Sequence, residues 1–174
     1  MSAVTLATAV PRRAALLAAA VLLVVLIACL AHTGRAEAQT RTPWATINAC
    51  DPSGAPGAVG VRVSVPTRRD AAQWLRIRIQ FFDTARRIWR VVRTGGDTGF
   101  RRLSRGGGRF FGGTTFTITP PKAGSSITLR GVADIQWRRR RRVVSRARVT
   151  THGGHFDGND PLLQVSASTC VIKR

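Results

Sequence analysis

The sequence predicts an all-β domain, an immunoglobulin-like β-sandwich of seven or eight short strands with a small β-barrel as the alternative, behind an N-terminal signal helix. Three observations predict it. Apolar and polar residues alternate in short runs, most clearly in Leu75-Arg76-Ile77-Arg78-Ile79. Gly, Pro, Asn and Asp interrupt those runs at the spacing usual for sandwiches and barrels. No stretch after residue 38 sustains a 3.6-residue period.

The first element is an export signal. Arg12 and Arg13 form a basic start, Ala14 to Ala31 is unbroken apolar sequence, and Ala36-Glu37-Ala38 presents small residues as a signal peptidase requires. Residues 1–38 are therefore expected to be cleaved. Two other readings stand beside this one: an uncleaved membrane anchor, and a lipoprotein signal acylated at Cys29 within Leu26-Ile27-Ala28-Cys29. All three place the rest of the chain outside the cytoplasm, secreted or membrane-anchored, with membrane contact only through this segment.

Residues 39–57, with Pro43, Pro52, Pro56, Gly54 and Gly57, read as an extended lead-in, and residues 58–174 as the sandwich. Val59–Val65 alternates as a half-buried strand does and Pro66 ends it. Asp70–Trp74 has the makings of one helical turn. Leu75–Phe81 sets an apolar face against Arg76, Arg78 and Gln80. Ile88–Val92 is a third strand carrying Trp89. Residues 94–99 are a turn by composition, and Phe100–Leu103 a short edge strand. After Gly106-Gly107-Gly108, Phe110–Thr119 resumes the β pattern. Ile127 to Trp137 is the longest period-2 row, Arg138–Arg142 a hairpin tip, and Arg142–Thr151 the returning strand. His152–Pro161 is a loop and Leu163–Ile172 the last strand. Trp89 and Trp137 are the candidate core tryptophans.

Past residue 38 only Cys50 and Cys170 remain, an even count that reads as one disulfide in an oxidising compartment. A metal pair or a reactive thiol is the competing use, and neither cysteine has neighbours in sequence that favour it.

Charge is the strongest compositional bias. The chain carries 28 Lys+Arg against 8 Asp+Glu, a formal +20; past residue 38 the count is 25 against 7, about +18. Of those 25, 23 are Arg, as a GC-rich coding sequence would give, although that does not explain the net excess. Strand positions such as Arg76, Arg78, Arg146 and Arg148 read as solvated sheet faces that discourage edge pairing. The run Arg138, Arg139, Arg140, Arg141 and Arg142 leaves two readings: a solvated turn, or an anion contact that relieves guanidinium repulsion. An anionic envelope polymer, phospholipid head groups and extracellular nucleic acid are the candidate partners.

Catalytic machinery is scarce. No Glu, Met or Tyr follows residue 38, and two His follow it. Asp97-Thr98-Gly99 spells the aspartic-protease triplet but lacks the apolar strand before it and a second copy, so a Gly/Asp turn is favoured. His152, His155, Asp157 and Asp160 gather metal-ligating side chains in nine residues, at spacings of neither an EF-hand nor a HExxH helix. Loop structure is favoured there, with no metal, cofactor or catalytic residue assigned.

The segments together resemble a group of small secreted β-sandwich proteins of GC-rich, actinobacteria-like genomes. Carrying the resemblance are Gly60–Pro66, Leu75–Phe82, Gly96–Phe100, Leu129-Arg130-Gly131-Val132 with Trp137, Val149–Thr151 with Gly154-His155, and Ser166–Cys170. It implies a disulfide-closed β domain and no established activity, and the Arg138–Arg142 tip is richer in Arg than that pattern. The expected function is a non-catalytic, exported binding or structural module at the cell envelope. A polyanion-binding protein using the Arg tip and a small secreted hydrolase using the 152–160 loop are the alternatives.

Overall fold

A computed structural model describes residues 42–103, 108–158 and 165–174. Those residues form nine strands and no helix: β1 (Trp44–Cys50), β2 (Ala58–Pro66), β3 (Ala72–Asp83), β4 (Ile88–Val91), β5 (Arg101–Arg102), β6 (Arg109–Thr117), β7 (Ser126–Arg139), β8 (Arg142–Thr150) and β9 (Cys170–Lys173). All ladders between them are antiparallel. One sheet has the order β1-β2-β6; the other has the order β4-β3-β7-β8, with β5 also on β3 and β9 also on β7. These two orders are the A-B-E and C′-C-F-G sheets of an immunoglobulin-like sandwich. The export segment, Cys29 and the cleavage triplet lie outside the described residues.

Alternation decides which side chains meet. On β3, Leu75, Ile77 and Ile79 are buried while Arg76 and Arg78 point outward. They pack with Leu129, Ala133, Ile135 and Trp137 of β7 and with Val59, Val61, Val63 and Val65 of β2. Gly131 allows the sheets to approach: a Cβ there would lie 2.8 Å from Thr151 Cγ2 and 2.9 Å from Val61 Cγ2. Ile172 and Cys170 of β9 complete the core.

The fold begins earlier than the composition suggests. Trp44–Cys50, inside the expected lead-in, is a full strand paired with β2 from Trp44↔Ser64 to Cys50↔Val59. Its free edge bonds onward to the segments after β8: the His152 amide donates to the Ala45 carbonyl at 2.9 Å, and Ile47 and Ala167 exchange amide hydrogen bonds. One side of the sandwich is thereby closed. Cys50 and Cys170 are joined, Cα atoms 5.4 Å apart, linking β1 of one sheet to β9 of the other.

Three local expectations change. Ala72–Trp74 is strand, because Gln73 pairs with Trp137 and is buried with it. Trp89 is not in the core: it pairs with Phe82, whose side of β3 faces outward, and the two rings sit 5.2 Å apart on the sheet surface. Trp137 is in the core, its indole N–H donating to the Pro66 carbonyl at 3.1 Å. The last strand runs from Cys170, and residues 159–164, including part of the expected strand, lie outside the described residues.

Candidate functional site: a basic cleft at the hairpin tip

The Arg run ends β7, turns, and begins β8, with Arg139 paired across to Arg142 and a two-residue turn at Arg140-Arg141. Arg140 takes φ 55°, a left-handed backbone that a side-chain-bearing residue adopts at some cost. The β7–β3 ladder continues to Ala72↔Arg138, bringing the β2–β3 turn alongside the tip. That turn is held from beneath by Gln73, whose side-chain amide donates to the Arg68 and Ala71 carbonyls at 3.0 and 2.7 Å. β5 pairs Arg102 with Trp74 and completes the surround.

The result is a cleft of about 590 Å³ whose charged lining is Arg68, Arg69, Arg102, Arg138, Arg139 and Arg140 against Asp70 alone. Six positive charges and one negative leave a formal +5. Asp70 accepts from Arg68 at 3.1 Å and from Arg139, and both cations hold its carboxyl below the usual carboxylate range. Arg138 is fixed: its guanidinium lies 4.5 Å from the Trp74 ring and 5.5 Å from Phe100, and donates twice to Gln136 Oε1. Of the five sequence-predicted tip residues, Arg138–Arg140 line the cleft. Arg141 and Arg142 do not.

The outer face of the six-stranded sheet is also basic. Cross-strand register aligns Arg76, Asp134 and Arg148 in one row and Trp74, Gln136 and Arg146 in the next. Asp134 accepts from Arg78 and Arg148, and Asp97 from Arg76. Each of the six described aspartates is paired with at least one Arg, so the excess charge resides in Arg side chains beyond these pairs.

Asp97-Thr98-Gly99 is a turn. Asp97 caps the Gly99 amide at 2.9 Å, and the Thr98 hydroxyl accepts from the Ile77 amide at the same distance. The Arg76 guanidinium bound to Asp97 holds its carboxyl below the usual carboxylate range.

The His152–Gly158 segment lies against the outer face of the three-stranded sheet. Arg62 of β2, only 8% exposed, donates to the His155 carbonyl and pairs with Asp157 at 3.0 Å. The His155 ring stacks on Trp44, centroids 3.9 Å apart and planes 2° from parallel. Burial, then the charges of His152, Arg62 and Arg109, lower the His155 pKa and favour its neutral form. His152 comes within 3.4 Å of it, Nε2 to Nε2. Asp160 lies outside the described residues. The Ser166 hydroxyl binds the His155 main-chain amide and Thr46, not the imidazole, so no Ser-His relay forms here.

A further cleft, about 880 Å³, opens where no ladder joins the described strands β4 and β6, and Phe81, Val92, Ile118 and Ile127 are among its lining.

Sequence reasoning missed Arg68, Arg69, Arg102 and Trp74 as partners of the tip. Their only sequence signal is the paired Arg68-Arg69 beside a turn; the register that delivers them to Arg138 is tertiary. Comparison with protein-family models, with curated proteins and with solved structures finds no match to this chain. Among the described residues no helix is long and apolar enough to cross a membrane.

Proposed function

We propose that the chain is an exported, non-catalytic β-sandwich that binds an anionic polymer of the cell envelope through the basic cleft. The observation that carries this reading is the convergence of six Arg from three separate segments on one cleft with a single carboxylate. Arg is suited to the role, because its planar fork pairs with phosphate, sulfate or carboxylate oxygens while remaining charged. Gathering like charges is unfavourable for the empty protein and becomes favourable when a polyanion brings its own charges and releases its counter-ions. A single disulfide is compatible with the extracytoplasmic location where such polymers occur.

The test uses heparin as the polyanion and two variants of equal net charge. Arg68→Gln/Arg102→Gln/Arg140→Gln removes three cleft charges. Arg86→Gln/Arg87→Gln/Arg93→Gln removes three from the β3–β4 turn and the segment just after β4. The cleft variant elutes at distinctly lower salt, and its log K against log salt plot is shallower by roughly 2–3 units, on the order of one per lost contact. Equal elution of the two variants would show a diffuse charge effect and refute the cleft.

A further inference from the structure

His152 and His155 are metal-ligating residue types in a loop that composition assigns to structure, and the fold brings their ring nitrogens into a specific relation. The two Nε2 atoms are 3.4 Å apart. As a hydrogen bond that is a long, weak contact beside the about 2.7–3.2 Å usual for N–H···O bonds. It does fit one edge of a metal tetrahedron: two nitrogens at about 2.0–2.1 Å from a zinc ion, at a tetrahedral angle, stand roughly 3.4 Å apart. Two ligands at right angles, as in octahedral or square sites, would stand nearer about 3.0 Å for the same bond lengths.

The hydrogen-bond pattern points the same way. His152 Nδ1 sits 3.0 Å from the Gly153 carbonyl, which only accepts, so Nδ1 carries the proton and the lone pair of a neutral His152 is on Nε2. A carbonyl accepting from the ring nitrogen that does not bind the ion is the usual companion of a metal-bound histidine. His155 is oriented without help from the ion, by its stack on Trp44 and by the grip of Arg62 on its carbonyl. Its Nδ1 makes no hydrogen bond within the described residues and is available to take the proton when Nε2 coordinates. The nearby positive charge of Arg62 is offset by Asp157, and Arg109 is turned to Ser64 and to the Thr42 carbonyl.

We propose that His152 and His155 form a two-histidine zinc site on the outer face of the three-stranded sheet, both ligating through Nε2. Among the described residues no third His, Cys, Asp or Glu joins them, and two histidines leave coordination positions open to solvent water. Such a site holds its ion exchangeably, and it ties the 152–158 segment to Trp44 and the sheet beneath. On binding, two N–Zn bonds form as water leaves the hydrated ion, and His155 binds in the tautomer that carries its proton on Nδ1. No net proton release is required when both rings start neutral.

Isothermal titration of the full oxidised protein with zinc chloride at pH 7.5 measures this, together with a long-range proton–nitrogen NMR spectrum of the imidazoles. The expected result is one ion per chain, with both Nε2 resonances shifted and both Nδ1 nitrogens protonated in the bound form. His152→Ala, at an exposed position outside the core, weakens binding at least tenfold while leaving thermal unfolding unchanged in the absence of zinc. His155→Ala weakens it as much. Absence of binding at millimolar zinc would overturn the proposal. So would binding that leaves both Nε2 signals unmoved, or His152→Ala binding as tightly as wild type.

Discussion

The Cys50–Cys170 bond joins residues 120 apart, nearly the whole described domain, and one of its sulfurs belongs to a residue 1% exposed. In the chain-entropy account, a cross-link closing a loop of that length removes about 16 cal/mol/K from the unfolded ensemble, or about 5 kcal/mol at 25 °C. Total stabilities of single domains are commonly 5–15 kcal/mol, so the bond is expected to supply a large share. The perturbation is the double substitution Cys50→Ala/Cys170→Ala, which avoids leaving one unpaired thiol, compared with wild type under oxidising and reducing conditions. Urea unfolding followed by tryptophan fluorescence should show the double variant and the reduced protein losing stability together, by about 3–5 kcal/mol, since measured values fall at or below the entropic figure. The link also crosses from β1 to β9, so its loss should first free the β1 edge. Amide exchange at Ile47 and Ala167, whose mutual hydrogen bonds close that side, is expected to quicken before exchange in β3 or β7. A change below about 1 kcal/mol would refute the reasoning and show that packing alone holds the two ends.

Three further outcomes are expected. Asp51 accepts from Arg174 and from the Gly57 amide, which together hold its pKa down from 3.8 to about 2. Its ionised form therefore stabilises the fold above pH 3.8 and that contribution is lost as pH falls toward 2, so stability curves of Arg174→Gln and wild type should separate at neutral pH and converge below about pH 2. Gly131→Ala should cost about 1–3 kcal/mol in urea unfolding, because the new methyl meets Val61 and Thr151, and Gly131→Ala/Val61→Ala should cost less than the sum of the two singles. Asp134→Asn leaves Arg78 and Arg148 without their carboxylate; with Asp134 13% and Arg78 17% exposed, the loss should be about 2 kcal/mol, between surface and fully buried pairs. The same variant adds one net positive charge to the outer face, so it should bind heparin more tightly while folding less stably.

The strands were legible wherever one face met the core and the other met water. Leu75-Arg76-Ile77-Arg78-Ile79 states its own orientation, and β7 and β8 follow the same rule. β1 was not legible, because Ala45, Thr46 and Ile47 are all buried and a strand covered on both sides does not alternate. β2 shows the same effect more sharply. Its sequence reads as half-buried, yet Arg62 and Ser64 are covered by Trp44, Arg109 and the 152–158 segment.

By itself, the sequence determined the all-β class, most strand positions, the pairing of the two cysteines past residue 38 and the excess of Arg. These depend on local alternation, turn chemistry and composition, which require no knowledge of neighbours. Tertiary structure alone decided that Arg68, Arg69 and Arg102 meet Arg138–Arg140 in one cleft, and that two imidazoles stand a tetrahedron edge apart over Trp44. The cleft and the stack on Trp44 come from strand register and loop path joining residues from 36 (Arg102 to Arg138) to 111 (Trp44 to His155) positions apart, a reach that no short-range pattern in the chain encodes.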